Sequence, residues 1–313
     1  MYVSMFDKIQ DSCAYVMKNS KYVYINYKKL DDFIKNIEIR DLKHWLISNP
    51  YNLFDMGIEK IVNFLLIFES INFSFWGNPK WTIDLNDDSK DGSDALLYLM
   101  INYVKNNNST DFSNITFDEF RNIFLGNVDI PLLEQRYNNV KKVSNIVNEK
   151  MNGNFYNSIK HLTVDKDLFE YIITNFDCFI DERKYNGHKI YFYKLAQLLT
   201  SDILHLREKL ENIYVDYSNL IGCADYKIPQ TLRALGITEY SEDLSKTIDG
   251  NEEIAVSSKY EVEIRASQIV VINYIKSKIK NVNSIDINDY LFLYSKNVKN
   301  IVKPYHLCRN VNY

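Results

Sequence analysis

Nine glycines and five prolines in 313 residues leave little obligatory punctuation. That scarcity excludes collagen-like and low-complexity classes and lets long helices run unbroken. A marked excess of either charge is missing too. Lys and Arg number 37 against 41 Asp and Glu, a formal net charge of -4, so no basic field exists to hold a long polyanion by counterion release. A protein that holds duplex nucleic acid stably is disfavoured. Cysteine is sparse: Cys13, Cys178, Cys223 and Cys308 stand far apart with no C-x-x-C pair, which predicts reduced, intracellular thiols rather than a disulfide framework. The most apolar window, Ile61 to Phe68, is interrupted by Asn63 and falls far short of the ~20 residues that cross a bilayer. Met1 to Asp7 has no basic segment followed by an apolar stretch, so no secretory signal is read. A soluble, cytoplasmic protein with no membrane partner is expected.

Familiar catalytic signatures are also missing. Neither G-x-G-x-x-G nor G-x-x-x-x-G-K-[ST] occurs, which disfavours the Rossmann and P-loop classes. His44, His161, His188, His205 and His306 form no H-E-x-x-H or H-x₃₋₅-H pattern, and there is no G-x-S-x-G elbow. No metal, no cofactor and no serine nucleophile are expected.

What is present is a globular composition, 46% hydrophobic, 14% aromatic and 25% charged. The length suits one large domain or two intimate ones at roughly 150 residues each. Helical periodicity dominates, predicting a mainly α, multi-helix fold with a few short strands. Helices are expected over 5–18, 28–38, 57–70, 92–105, 117–125, 131–151, 165–176, 189–211, 229–235, 259–280 and 286–296, with Tyr22–Ile25 a short strand. The polar segment 106–115 reads as a surface connection inside a single domain, 1–313, between an N-terminal helical part of about 1–105 and a second of about 116–313. No 20 to 50 residue repeat is visible.

Four segments carry chemistry. Asn72 to Trp81 places four aromatic rings beside Gly77 and Pro79. Such rings either plug a core or stack on a planar base, with Trp76 the preferred pocket ring. The pattern over 189–210 is amphipathic, with Leu195, Leu199, Ile203, Leu206 and Leu210 on one stripe and Lys194, Gln197, Ser201 and His205 on another. Lys194 is a surface cation if that stripe faces water, and a donor to phosphate or hydroxyl if it lines a cleft. Gly222 to Gly236 has the grammar of a turn entering a helix: Asp225 before the start, Pro229 in the first turn, Gly236 at the end. Asp225 is a helix cap worth ~1 kcal/mol, or, by the spacing Asp, aliphatic at +3, Leu-Gly at +10 and +11, resembles the catalytic segment of helix-hairpin-helix DNA glycosylases. Glu261, Arg265 and Gln268 share one helix face, and an i,i+4 Glu–Arg pair is commonly a solvated one. The C-terminal segment from Lys303 reads as docked rather than trailing.

Taken in order, Phe73-Ser74-Phe75-Trp76-Gly77, Pro131-Leu132-Leu133-Glu134-Gln135-Arg136, Phe192-Tyr193-Lys194-Leu195-Ala196-Gln197, Ala224 to Gln230, Glu261 to Arg265 and Pro304-Tyr305-His306 resemble the queuosine salvage protein family, the queuosine 5′-phosphate N-glycosylase/hydrolases. The resemblance spans about 60 to 313 and implies a fold similar to helix-hairpin-helix DNA glycosylases. It implies hydrolysis of the N-glycosidic bond of queuosine 5′-monophosphate, a small-molecule substrate, releasing queuine for tRNA modification. By that resemblance the catalytic residues are Asp225 and Lys194. Asp225 stabilises the oxocarbenium-like transition state, as nucleophile or as base. Phe75 and Trp76 stack on the base, Glu134 is a carboxylate for its donors, and Tyr226 lines the pocket. Lys194, Arg265, His306 and Arg309 are the cations available to the 5′-phosphate. The family commonly carries Arg where this chain has Leu195 and Leu307. Two other classes compete: a non-catalytic binder of a modified nucleotide, and a DNA-glycosylase-like enzyme.

Overall fold

The computed structural model describes residues 3–37, 39, 44–48, 51, 53–85, 88–297 and 303–313. In chain order the elements are α1 (Met5–Lys18), β1 (Val23–Ile25), α2 (Tyr27–Asn36), α3 (Trp45–Ser48), α4 (Ile58–Glu69), β2 (Thr82–Leu85), β3 (Asp88–Asp91) and α5 (Gly92–Asn107). There follow α6 (Phe117–Ile123), α7 (Leu133–Met151), α8 (Phe155–Ile159), α9 (Asp165–Asn175), β4 (Glu182–Tyr185), β5 (His188–Tyr191) and α10 (Lys194–Glu211). The chain closes with α11 (Lys227–Ala234), β6 (Thr238–Tyr240), α12 (Glu242–Asp249), α13 (Lys259–Lys278) and α14 (Ser284–Asn297). The fold is mainly α, and the strands form three antiparallel pairs: β1 with β6, β2 with β3, and β4 with β5.

Local chemistry sets the helix starts. Ser4 and Asp7 form a capping box on α1, and Thr116 and Glu119 form another on α6, each satisfying orphaned N–H groups at the first turn. Ser258 caps α13, its side chain accepting from the Glu261 N–H. α4 buries every residue from Phe64 to Glu69, so it reads as an interior helix, apolar nearly all round. The main core joins α1, α4, α5, α7, α9, α10 and α13, and two smaller clusters lie under α11–α14 and beside β1 and α12.

Most expected helices stand within two residues of their expected ends, and one does not. The span 189–211 is not a single helix: Ile190 and Tyr191 pair with Arg183 and Glu182 in a hairpin, Tyr193 takes a left-handed φ of 53°, and α10 starts at Lys194. Nor is α10 amphipathic in the expected sense. Lys194, Gln197 and Ser201 are buried as Leu195, Leu199, Ile203 and Leu206 are, because α3, α4 and α9 pack against the helix. The short α8 and α12 and the strands beyond β1 were not expected from periodicity. The C-terminal segment is docked: Ser74 N–H donates to the Tyr313 carbonyl at 2.9 Å, and Ser74 Oγ donates to the Asn310 carbonyl at 2.6 Å.

Candidate active site

The centre of the site is the loop 219–226 between α10 and α11, and almost every polar atom it exposes inward is held by a buried side chain. Asp165 accepts from the Asn219 and Leu220 N–H groups at 2.7 and 3.1 Å. Gln197 accepts from Ile221 and Gly222 at 2.8 and 3.1 Å and donates back to the Gly222 carbonyl at 3.0 Å. Asn288 accepts from Cys223 at 2.9 Å, and Gln268 accepts from Asp225 at 3.3 Å while donating to the Cys223 carbonyl at 2.7 Å. Gly222 sits at φ +129°, where a Cβ would meet Ile272 Cδ1 at 2.8 Å. Buried amides with both ends satisfied fix backbone geometry, which is what a reacting side chain on a loop requires.

That scaffold presents Asp225. Its Oδ1 accepts from the Lys227 and Ile228 N–H groups at 2.8 and 3.3 Å, so it does cap α11. Its Oδ2 receives no hydrogen bond from any described residue, and Asp225 is partly exposed. Burial raises the Asp225 carboxyl above the usual range, against the opposing pull of Lys194 and of the two backbone donors. Lys194, 7% exposed, makes no hydrogen bond or ion pair through its ammonium with any described residue. Its field acts on Asp225, Cys223, Glu69 and Asp202 alike. Burial also pushes the Cys223 thiol well up, which removes it as a thiolate nucleophile.

The other expected residues fall in several places. Phe75 and Trp76 are buried: the Arg136 guanidinium lies 4.8 Å from the Phe75 ring, and Trp76 donates to the Cys308 carbonyl at 3.3 Å with Arg309 4.7 Å over its ring. Tyr226, partly exposed beside Asp225, packs 4.9 Å from Tyr305, and Lys227 Nζ lies 4.6 Å over the Tyr305 ring. Arg265 is fully buried and committed inside the protein. It donates to Asp181 at 3.0 and 2.5 Å, to Glu261 at 3.2 Å and to the Ala224 carbonyl at 3.0 Å, sandwiched between Phe192 and Tyr313. Far from a solvated helix pair, it is the strut beneath the residue that precedes Asp225. His306 is buried, 3.3 Å from the Tyr313 hydroxyl, and burial first and Arg265 second lower it to about 3, so it carries no charge at neutral pH. Arg309 is exposed and pairs with Glu253 at 3.0 Å. Glu134 stands exposed at the first turn of α7. Leu195 is core, and the Leu307 carbonyl accepts from Ile254 at 2.8 Å.

Residues 52–313 match the family described as queuosine salvage protein. The chain belongs to that family. Among curated relatives named queuosine 5′-phosphate N-glycosylase/hydrolase, the Sphaerobacter thermophilus protein is 33% identical over 219 residues, 68% of each chain. The Nematostella vectensis protein is 30% identical over 287 residues, covering 80% of this chain and 82% of its own. The Mus musculus protein is 25% identical over 332 aligned positions, 97% of this chain and 98% of its own.

Four side chains of this queuosine salvage family member that its sequence did not single out act on one another around Asp202: His44, Glu69, Asp202 and Asp289. Glu69 and Asp202 are fully buried. His44 Nε2 lies 3.2 Å from Asp202 Oδ1, and Asp289 reaches both electrostatically, its carboxyl raised by burial to about 6. One signal was legible: a single carboxylate closing the apolar run Phe64-Leu65-Leu66-Ile67-Phe68-Glu69 is costly to bury without a partner. Among the described residues no cluster of His, Cys, Asp and Glu is arranged to hold a metal ion. No helix among them is long and apolar enough to cross a membrane.

Proposed function

We propose that the chain is an N-glycosyl hydrolase that cleaves the glycosidic bond of queuosine 5′-monophosphate and releases queuine for reuse in tRNA modification. The observation that carries this reading is Asp225, with one oxygen tied to backbone and the other receiving no hydrogen bond from the described residues, in the field of Lys194, a buried ammonium that donates to none of the described residues. As the bond from C1′ to the base nitrogen lengthens, positive charge grows on the ribose and negative charge on the base. An ionised Asp225 lowers the energy of the first. Water adds its hydroxyl to C1′, and its proton ends on the leaving nitrogen, giving ribose 5-phosphate and queuine.

Lys194 belongs to this reacting centre rather than to the phosphate, because its field is shared among Asp225, Glu69 and Asp202 deep in the fold. The 5′-phosphate is assigned to the outer side, where Tyr226, Tyr305 and Lys227 meet, since Arg265 and His306 are committed within. Asp289 is the acid assigned to the donors of the base. Phe75 and Trp76 form the wall behind the substrate, with Glu134 and Arg309 outside it. A small molecule fits this reading, and a long polyanion does not. Cytoplasmic residence follows from the cysteine usage.

The test is Asp225→Asn. It keeps the backbone-capping oxygen and removes the charge, so substrate binding persists while turnover falls by roughly 100-fold or more, the scale of losing one preorganised electrostatic group. Stability supplies the control. An acid whose folded pKa is raised stabilises the fold only when protonated, and that contribution is lost as pH rises through the folded value. At neutral pH the Asn variant therefore melts at or above wild type. Near-normal turnover in a folded Asp225→Asn protein would sink the assignment.

A further inference from the structure

The start of α10, which places Lys194, has no local side-chain cap. Its N-cap residue is Tyr193, in the left-handed region at φ 53° and with no side-chain hydrogen bond to the helix. The first N–H groups of a helix lack acceptors within it, and here they are met by a residue earlier in the chain. The β4–β5 hairpin pairs Glu182 with Tyr191, so Asp181 falls beside Phe192 and the helix start. The Asp181 carbonyl accepts from the Phe192 and Tyr193 N–H groups at 3.0 and 3.4 Å, and its Oδ2 accepts from the Lys194 N–H at 3.3 Å. Asp181 thus caps α10 with a carboxylate at the positive end of the helix dipole. Burial works against that charge, and Arg265 outweighs burial, holding the carboxyl below the usual range.

The same carboxylate is gripped by Arg265. Nη2 donates to Oδ2 at 2.5 Å and Nη1 to Oδ1 at 3.0 Å, a two-pronged pair of fixed geometry. The Arg265 Nε donates in turn to the Ala224 carbonyl at 3.0 Å, and Ala224 directly precedes Asp225. The rings of Phe192 and Tyr313, 4.0 and 4.2 Å from the guanidinium carbon, keep its plane from turning. Lys194 N–H, Asp181 carboxylate, Arg265 guanidinium and Ala224 carbonyl therefore form an unbroken run of hydrogen bonds between the two reacting residues. Asp181, Ala224 and Arg265 are each at most 1% exposed, which shields the run from bulk water. Arg183 stands beside this path and not in it: it pairs with Asp181 at 3.2 Å and with Glu261 at 3.2 Å. In that buried cluster two arginines balance two carboxylates.

We propose that Asp181 is a positioning residue that fixes the spacing between Lys194 and Asp225, holding the first residue of α10 directly and the turn that presents Asp225 by way of Arg265. It acts through those two residues, and the inference rests on the reading of them given above. Asparagine at 181 offers one acceptor oxygen where the carboxylate uses two, so it cannot serve Lys194 and both prongs of Arg265 together. A misplacement of about 1 Å between reacting groups costs on the order of 100-fold in rate, so a fraction of that shift is readable in kcat.

The experiment compares Asp181→Asn, Arg183→Met and the paired variant Asp181→Asn/Arg183→Met in the full chain, by kinetics on queuosine 5′-monophosphate, thermal melting and crystallography. Each single variant upsets the charge balance of the cluster and melts below wild type. Asp181→Asn also loses kcat, by at least about tenfold with KM within about threefold, whereas Arg183→Met keeps kcat within about threefold. The paired variant restores the balance, so its melting temperature recovers toward wild type while kcat stays at least about tenfold down. It carries the test by itself where Asp181→Asn alone does not fold. Recovery of kcat along with the melting temperature overturns the proposal. So does an Arg183→Met protein that loses as much kcat as Asp181→Asn, the mark of a purely structural role. Crystal structures give a readout that needs no turnover: the Lys194 to Asp225 Cα separation shifts by about 0.5 Å or more in the paired variant and not in Arg183→Met. An unmoved separation in the paired variant refutes the positioning role, whereas a wild-type protein that releases no base refutes only the hydrolase reading.

Discussion

Arg265→Met separates a strut from a phosphate ligand. The guanidinium is fully buried and donates to Asp181, Glu261 and the Ala224 carbonyl. Arg265 also holds Asp181 below the usual carboxylate range against the cost of burial. Removing it leaves Asp181, 1% exposed, with Arg183 Nη1 at 3.2 Å as its remaining ion-pair partner among the described residues. Breaking one side of a buried pair costs about 3–5 kcal/mol. At roughly 2–4 °C per kcal/mol for chains of a couple of hundred residues, and less for longer ones, the melting temperature falls by about 5–15 °C. Adding Asp181→Asn removes the stranded charge and recovers much of that loss. Activity is not recovered, because the Ala224 carbonyl still lacks its donor and the Asp225 turn is unsupported. Differential scanning calorimetry and steady-state kinetics read both effects. The reasoning is refuted if Arg265→Met melts within about 2 °C of wild type while KM rises for the monophosphate but not for the unphosphorylated nucleoside, the pattern of an exposed phosphate ligand.

Other expectations follow from the same geometry. Lys194→Met removes the largest pull that opposes burial at Asp225, so the acidic limb of kcat/KM moves to higher pH and kcat falls for monophosphate and nucleoside alike; a loss confined to KM for the monophosphate would return Lys194 to the phosphate. Gly222→Ala forces a Cβ to 2.8 Å from Ile272 Cδ1 at a φ of +129°; a loss of about 1–3 kcal/mol in denaturant unfolding is expected, with a fall in kcat, and unchanged stability would contradict the close packing. His306 is held near 3 in the fold and titrates at about 6.5 when unfolded. A depressed His contributes stability that is present above the unfolded value and lost as pH falls toward the folded one. His306→Gln therefore gains about 2 kcal/mol relative to wild type between pH 7 and pH 5, and a difference that stays flat with pH would show that the imidazole is not held neutral.

Local patterns were legible where local forces decide them. The start and end of α1 and the length of α13 follow from apolar spacing and serine caps, and α11 begins close to where Asp225 and Pro229 mark it. The candidate residues Asp225 and Lys194 were also readable, because a turn entering a helix and a lysine among leucines leave a trace within one segment. What escaped depends on distant partners. The β1–β6 pairing joins Val23 to Tyr240, and three-residue strands carry no period of their own. Arg265 looked like half of an i,i+4 pair because Asp181, which claims it, is 84 residues away in sequence. Glu69 and Asp202 acquire meaning only when α4 packs on α10. The polar stripe of α10 was read toward solvent or a cleft, and packing on several sides turned it inward, where Gln197 became a clamp for the central loop.

The most direct measurement is incubation of the purified protein with queuosine 5′-monophosphate, in parallel with guanosine 5′-monophosphate and unphosphorylated queuosine, following free base by chromatography and mass spectrometry. Selective release of queuine from the queuosine monophosphate, lost in Asp225→Asn, is the predicted result. Tight binding of that nucleotide with no base released from any of the three would contradict it, and would leave Asp225 as a helix cap in a protein that binds a modified nucleotide without cleaving it.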